Sequence, residues 1–365
     1  MNSITRGLHE LGQRIWLDNI TRDLLQSGTL ARYISDLSVT GLTSNPTIFE
    51  HAIGSGDSYD VAIGQGAALG LSDEDLFFEL ALQDLTQAAD LFRPIFDSTG
   101  GADGWVSLEV SPLLANDSTS TIKAVRGLHA RAARPNLFIK IPGTPQGIPA
   151  IEQSIFDGVP INVTLLFSRE HYSAAAEAYL RGVERRVAAG LDPGTESVAS
   201  LFVSRWDVAV KDEISPKLHN RLGLAVAAQT FKAYRELLDS HRWRKLASAG
   251  ARPQRLLWAS TGTKDPAAQD TLYVEALAAA GTINTIPEKT LLAFADHGHI
   301  GPSLTADGGD SETVLQAFRQ VGIDDQALAA RLQREGVESF TSSWIGLMTK
   351  IREKRSQSRT VQALP

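Results

Sequence analysis

Three observations predict an α/β chain folded as a parallel (β/α)8 TIM barrel with additional C-terminal helices packed on it. Eight short β-branched or apolar runs recur along the sequence, helical periodicity fills the gaps between them, and helix-like segments follow the last run. The runs lie at about 15–18, 37–42, 105–110, 137–142, 160–167, 198–204, 255–260 and 282–286. Between them Ala and Leu recur at three- and four-residue spacing beside charges, most clearly over Arg169–Ala189, Leu222–Leu238 and Tyr273–Ala280. Element order does not establish closure, so a doubly wound open sheet competes. The lack of a glycine-rich phosphate fingerprint after the first strand counts against it.

Past the eighth strand, Ser311–Val321, Asp325–Glu335 and Val337–Glu353 all carry helical patterns. Phe340, Trp344, Leu347 and Ile351 share one face of the last, which predicts a helix packed on the barrel, with a lid as the other reading. The whole chain, 1–365, reads as one barrel domain with a helical extension over about 309–356.

Composition narrows the partners. A net charge of −7, from 35 basic against 42 acidic residues, provides no general attraction for nucleic acid or an anionic membrane. The absence of cysteine excludes disulfides, thiolate metal sites and thiol nucleophiles. The N-terminus lacks the apolar core of a signal peptide and no segment supplies eighteen consecutive apolar residues, so a soluble, cytoplasmic protein is expected.

Lys140 is the most informative residue. It sits in Asn136-Leu-Phe-Ile-Lys-Ile-Pro-Gly-Thr144, where period two sends Phe138 and Lys140 one way and Leu137, Ile139 and Ile141 the other. Burial without a counter-ion would lower the amine pKa and leave a nucleophile able to form a Schiff base. A lysine reaching solvent or paired with a carboxylate is the plainer alternative.

In a barrel, reactive groups belong at the C-terminal ends of strands. Strand one ends in Asp18, strand three carries Ser107 and Glu109 on one face, and strand four presents Lys140. On strand five Asn162 and Thr164 share one face while Ile161, Val163 and Leu165 are expected to meet the helices. Strand six offers Ser200 and then Arg205, and strand seven closes with Ser260. Singly, each is explained by capping or ordinary hydrogen bonding. Jointly, Asp18, Glu109 and Lys140 would supply one pocket with a nucleophile and two proton carriers.

These segments resemble the transaldolase family, the Schiff-base-forming class I enzymes of the longer bacterial type. The resemblance rests on Thr43-Ser-Asn-Pro-Thr-Ile-Phe49, on Phe138-Ile-Lys-Ile-Pro-Gly-Thr144 and on Ile161-Asn-Val-Thr-Leu-Leu-Phe-Ser168, and runs from Asp18 to about Ile286. It implies Lys140 as the Schiff-base nucleophile, Asp18 as acid/base, and Glu109 and Thr164 as holders of the catalytic water. By the same resemblance Asn45 and Asn162 would bond substrate hydroxyls or orient the lysine, Ser200 would lie close by, and Arg205 and Ser260 would bind the sugar phosphate. One departure stands out. The better-known branch of the family has an arginine two positions after the strand-seven serine, where this chain has Gly262. Lys264 is the candidate replacement, and a solvated loop lysine is the alternative.

The function so implied is a transaldolase of the pentose phosphate pathway, passing a dihydroxyacetone unit from sedoheptulose 7-phosphate or fructose 6-phosphate to glyceraldehyde 3-phosphate or erythrose 4-phosphate. No cofactor or metal is expected, and the partners are sugar phosphates, with no nucleic acid or membrane, in a monomer or homodimer. Fructose 6-phosphate aldolase-like cleavage and a non-catalytic sugar-phosphate-binding barrel are the alternatives. Two further signals are set aside: Asp296-His-Gly-His299 lacks other placed metal ligands, and His241-Arg-Trp-Arg-Lys245 reads as a solvated helix end.

Overall fold

The computed structural model of the chain describes residues 2–362, with side-chain surroundings to Gln357. Its strands are β1 (Arg14–Leu17), β2 (Val39–Thr43), β3 (Trp105–Glu109), β4 (Leu137–Pro142), β5 (Ile161–Leu166), β6 (Ser197–Phe202), β7 (Arg255–Ala259) and β8 (Ile283–Ile286). They pair in parallel and in chain order, and β1 pairs with β8 to close the barrel. Closure removes both sheet edges and rules out the open doubly wound arrangement. Register places Glu109 beside Lys140 and Lys140 beside Asn162, so three polar side chains from β3, β4 and β5 lie at one level.

Alternation along the strands divides the core in two. Val106, Leu108, Ile139, Ile141, Ile161 and Val163 pack outward in the cluster shared with the helices. Trp16, Trp105, Phe138, Val198, Leu257 and Ile283 join a second cluster that fills the barrel interior. Trp105 stacks on Phe138 with ring centroids 4.1 Å apart, and Phe138 lies two residues before Lys140 on the same face. Burial of such rings contributes roughly 1.5–3 kcal/mol each. The same packing gives Lys140 an apolar floor.

Leu165 departs from the expected alternation. It adopts φ 58, the β5–β6 register shifts between Val163 and Leu166, and its side chain joins Phe167, Phe202 and Phe340 instead of the outer cluster. The freed Leu165 carbonyl accepts a hydrogen bond from Gln333 Nε2 at 3.0 Å, which fastens the irregular strand end to the C-terminal helix.

Helical boundaries differ from the sequence reading in two places. The segment read as Tyr273–Ala280 is helical only over Leu272–Ala276, because distant donors take the next carbonyls: Gln13 Nε2 bonds Leu277 O and Leu304 N bonds Ala278 O. Conversely, 325–335 and 337–353 form one helix, Asp325–Gln362, which passes through Gly336 without a break. At Gly336 an added Cβ would lie 3.0 Å from Leu165 Cδ2, so a small residue lets the helix sit close over the barrel mouth. Trp344, Leu347 and Ile351 are buried against the helices Pro46–Gly54 and Asp73–Ser98, and Asp73 receives both Arg352 and Arg355.

Candidate active site

A cavity of about 290 Å³ opens at the C-terminal end of the strands. Asp18, Asn45, Lys140, Thr164, Ser200, Arg205, Ser260 and Lys264 all line it, together with Thr43, His51, Thr285 and Phe340. Two of the residues singled out in the sequence, Glu109 and Asn162, are not part of its wall.

Lys140 projects from β4 and is 5% exposed. Its Nζ donates to the Ser44 carbonyl at 2.9 Å and lies 3.2 Å from Glu109 Oε2. The lysine therefore has a counter-ion, the carboxylate pairing that the sequence offered as the alternative to an unpaired buried amine. Burial pushes the Glu109 carboxyl above its ordinary range, while the Lys140 ammonium pulls it the other way. Asp18 behaves alike, raised by burial and opposed first by Lys140 and then by the Thr43 hydrogen bond. Two carboxylates with raised proton affinity beside one amine can accept and return the proton the amine must shed before attack.

Asp18 follows the last residue of β1, where its amide bonds Ile286 O at 2.8 Å. Thr43 Oγ1 donates to Asp18 Oδ1 at 2.9 Å and lies 2.6 Å from Thr285 Oγ1. A threonine hydroxyl carries one proton, so Thr285 is the donor in the second contact and the chain runs Thr285 to Thr43 to Asp18. Neither threonine stood out as a site residue in the sequence. Thr43 was nonetheless visible at the head of the Asn-Pro segment, and Thr285 beside Asn284 between the two isoleucines of the final strand.

Asn45 caps the helix Pro46–Gly54, with Oδ1 accepting from Ile48 N at 3.0 Å. Its Nδ2 makes no hydrogen bond among the described residues and its side chain borders the cavity. Asn162 is fully buried and committed at both ends: Nδ2 donates to Ser107 Oγ at 3.1 Å, and Oδ1 accepts from Ser200 Oγ at 2.7 Å. That leaves Asn162 tying β3, β5 and β6 together behind the lysine. Thr164 Oγ1 and both carboxylate oxygens of Glu109 are buried without a hydrogen bond among the described residues.

The cationic end of the cavity comes from the strand-six and strand-seven loops. Arg205 stands on the first turn of the helix Ser204–Val210. Ser260, at φ 55, turns the chain sharply after β7 and pairs its hydroxyl with Ser204 Oγ at 3.0 Å. A Cβ built on Gly262 would meet Pro287 Cγ at 3.3 Å and Thr290 Oγ1 at 3.5 Å, with the Lys264 ammonium 3.9 Å away, so the exposed Lys264 brings its charge close to position 262. Asp265 holds the loop from the other side, accepting from Asn220 Nδ2 at 2.9 Å and pairing with Lys211 at 3.4 Å.

The two segments set aside in the sequence have structural uses. His297 pairs with Asp270 and Asp296 on the surface. His241–Ser248 is a helix in its own right, so the basic run begins a helix instead of ending one. Ser240 caps it, and Arg242 bonds Glu177 and Glu184. Among the described residues no helix is long and apolar enough to cross a membrane.

Comparison with known proteins agrees with this geometry. A transaldolase from Thermobifida fusca is 44% identical over 97% of this chain and 99% of its own length. Transaldolases from a Parafrankia species and from Thiobacillus denitrificans are each 42% identical, over 95% and 96% of this chain and 96% and 99% of their own lengths. The family described as Transaldolase/Fructose-6-phosphate aldolase matches residues 15–351, from the first barrel strand into the C-terminal helix, and the chain belongs to that family.

Proposed function

We propose that this chain is a transaldolase that transfers a dihydroxyacetone unit between sugar phosphates of the pentose phosphate pathway through a Schiff base on Lys140. The observation that carries the reading is a buried amine held between Glu109 and a backbone carbonyl, in a cavity that also holds Asp18 and ends in Arg205 and Lys264.

Lys140 gives up a proton and attacks C2 of sedoheptulose 7-phosphate or fructose 6-phosphate, and loss of water leaves the imine. Asp18 takes the C4 hydroxyl proton as the C3–C4 bond breaks, and the aldose phosphate departs. The electron pair of that bond passes into the protonated imine, giving an enamine. Its carbon adds to the aldehyde of glyceraldehyde 3-phosphate or erythrose 4-phosphate, Asp18 returns a proton, and a water held by Glu109 and Thr164 hydrolyses the new imine. Asn45 bonds substrate hydroxyls, Asn162 and Ser200 fix the strands behind Lys140, and Arg205 with Ser260 holds the phosphate. A cytoplasmic location and a monomer or homodimer belong to the same reading, and the net charge of −7 provides no general attraction for nucleic acid or an anionic membrane.

A coupled assay with fructose 6-phosphate, run with and without erythrose 4-phosphate, tests the reading. Product formation only with the acceptor is the expected result. Glyceraldehyde 3-phosphate released at full rate without it would make the enzyme an aldolase, and no turnover in either case would leave a binding barrel.

Lys264 takes the place of the family arginine. Lys264→Ala is expected to weaken donor binding by about 1–3 kcal/mol, the usual range for a hydrogen bond to a charged group. Gly262→Arg in that background should recover part of the loss, since Gly262 is outside the left-handed region and its nearest neighbour, Pro287 Cγ at 3.3 Å from an added Cβ, need give only slightly. Unchanged donor affinity in Lys264→Ala would assign phosphate binding to Arg205 and Ser260 alone.

A further inference from the structure

Arg205 is deeply set yet has no ion pair or hydrogen bond to another side chain among the described residues. Burial pulls its pKa below the ordinary arginine range, and the carboxylates that pull the other way, Asp18 first, act at a distance. What touches the guanidinium is apolar. Its Cζ lies 5.1 Å from the Phe202 ring centroid and 5.8 Å from that of Phe340, both within cation–π range. A Cβ added at Gly336 would lie 3.6 Å from Arg205 Nη1, so the helix backbone closes over the remaining side.

Two of these three neighbours, Gly336 and Phe340, belong to the helix Asp325–Gln362 and not to the barrel. Phe340 is 3% exposed and borders the cavity. The helix is seated by Gln333, whose Nε2 reaches Gly143 O and Leu165 O at 3.0 Å, and by Ser343, whose hydroxyl lies 2.8 Å from Thr47 Oγ1. Aromatic faces attract a guanidinium without consuming its N–H donors, whereas a carboxylate would consume them. A cation held in this way stays aimed at the cavity with its donors available to an anion.

We propose that Phe340 is a positioning residue for phosphate recognition: with Phe202 it clamps the Arg205 guanidinium, and so makes the C-terminal helix part of the phosphate-binding site. The proposal rests on the reading of Arg205 as a phosphate ligand. Without the ring, Arg205 would gain rotamers in the free enzyme and have to be ordered at binding, a loss of preorganisation that falls on phosphorylated ligands alone.

Inorganic phosphate as a competitive inhibitor of the full-length enzyme separates the possibilities, with unphosphorylated fructose as a control donor. Phe340→Leu keeps most of the apolar volume and removes the π face, and Phe340→Tyr keeps the ring. The expected result is a rise of about threefold to tenfold in phosphate Ki and in KM for fructose 6-phosphate for Phe340→Leu, the size expected for ordering one long side chain. The same variant should show little change in kcat, and unaltered kcat/KM with fructose. Phe340→Tyr should restore wild-type values. A Phe340→Leu enzyme with unchanged phosphate Ki, or one equally impaired with fructose, would overturn the proposal. Arg205→Ala checks the foundation: unchanged phosphate Ki there would remove Arg205 from phosphate binding, whereas a raised Ki with a neutral Phe340→Leu would spare Arg205 and sink only the clamp.

Discussion

Lys140→Arg should abolish transfer, lowering kcat on the order of 10⁴-fold or more, as loss of a nucleophile does elsewhere. The guanidinium stays charged and cannot attack a carbonyl, yet it can still pair with Glu109, which now lies 3.2 Å from the lysine. The variant thus removes the chemistry while keeping the buried charge matched, and a retained cooperative melt would confirm that it folds. In the wild-type enzyme, borohydride added with fructose 6-phosphate should reduce the imine to a stable secondary amine. Mass spectrometry should find that adduct on Lys140. An adduct on another lysine, or substantial transfer by Lys140→Arg, would refute the Schiff-base assignment.

Asp18→Asn should lower kcat by about 10²–10⁴-fold and change KM much less. The amide can still accept from Thr43, as the carboxylate does at 2.9 Å, but it cannot take the C4 hydroxyl proton. Stability should move in the opposite direction from activity. Burial raises the Asp18 pKa in the folded chain above its unfolded value, so the folded state binds the proton more tightly. The carboxyl therefore favours folding as pH falls through the folded pKa, and its ionised form is a cost to folding above that pKa. Asparagine removes this cost, so at neutral pH the variant should melt no lower than the wild type. A near-normal kcat would remove Asp18 from proton transfer, and a marked fall in Tm would mean that its main task is structural.

Much of the architecture is a local property of the chain. Strand parity placed Phe138 and Lys140 on one face, and three- and four-residue spacing marked the helix over Leu222–Leu238. Period two and period 3.6 are set by backbone geometry, so they survive in the sequence wherever one face of an element is buried. Strand-end lining residues such as Asp18, Lys140, Thr164 and Ser200 were legible because an apolar strand would not need polar groups there, whereas Thr43, Thr285 and Phe340 were not read as lining the cavity.

Strand–helix alternation in the sequence predicts the barrel without its closure, strand ends gather Asp18, Glu109 and Lys140, and the family resemblance implies the departure at Gly262. Closure, and the way these groups meet, come from pairing between strands. The Glu109 counter-ion depends on β3–β4 register across a long crossover, and the threonine relay to Asp18 joins β2 to β8 across barrel closure. Leu165 turned inward because its carbonyl and side chain both found partners on a helix far along the sequence, Gln333 for one and the Phe167–Phe340 cluster for the other. The same helix runs unbroken through Gly336, where an added Cβ would lie 3.0 Å from Leu165 Cδ2 and the glycine lets the helix sit close over the barrel mouth. Local pattern states which face of an element is buried; contacts between elements distant in sequence decide what that face is buried against, and those contacts leave no periodic trace in either segment alone.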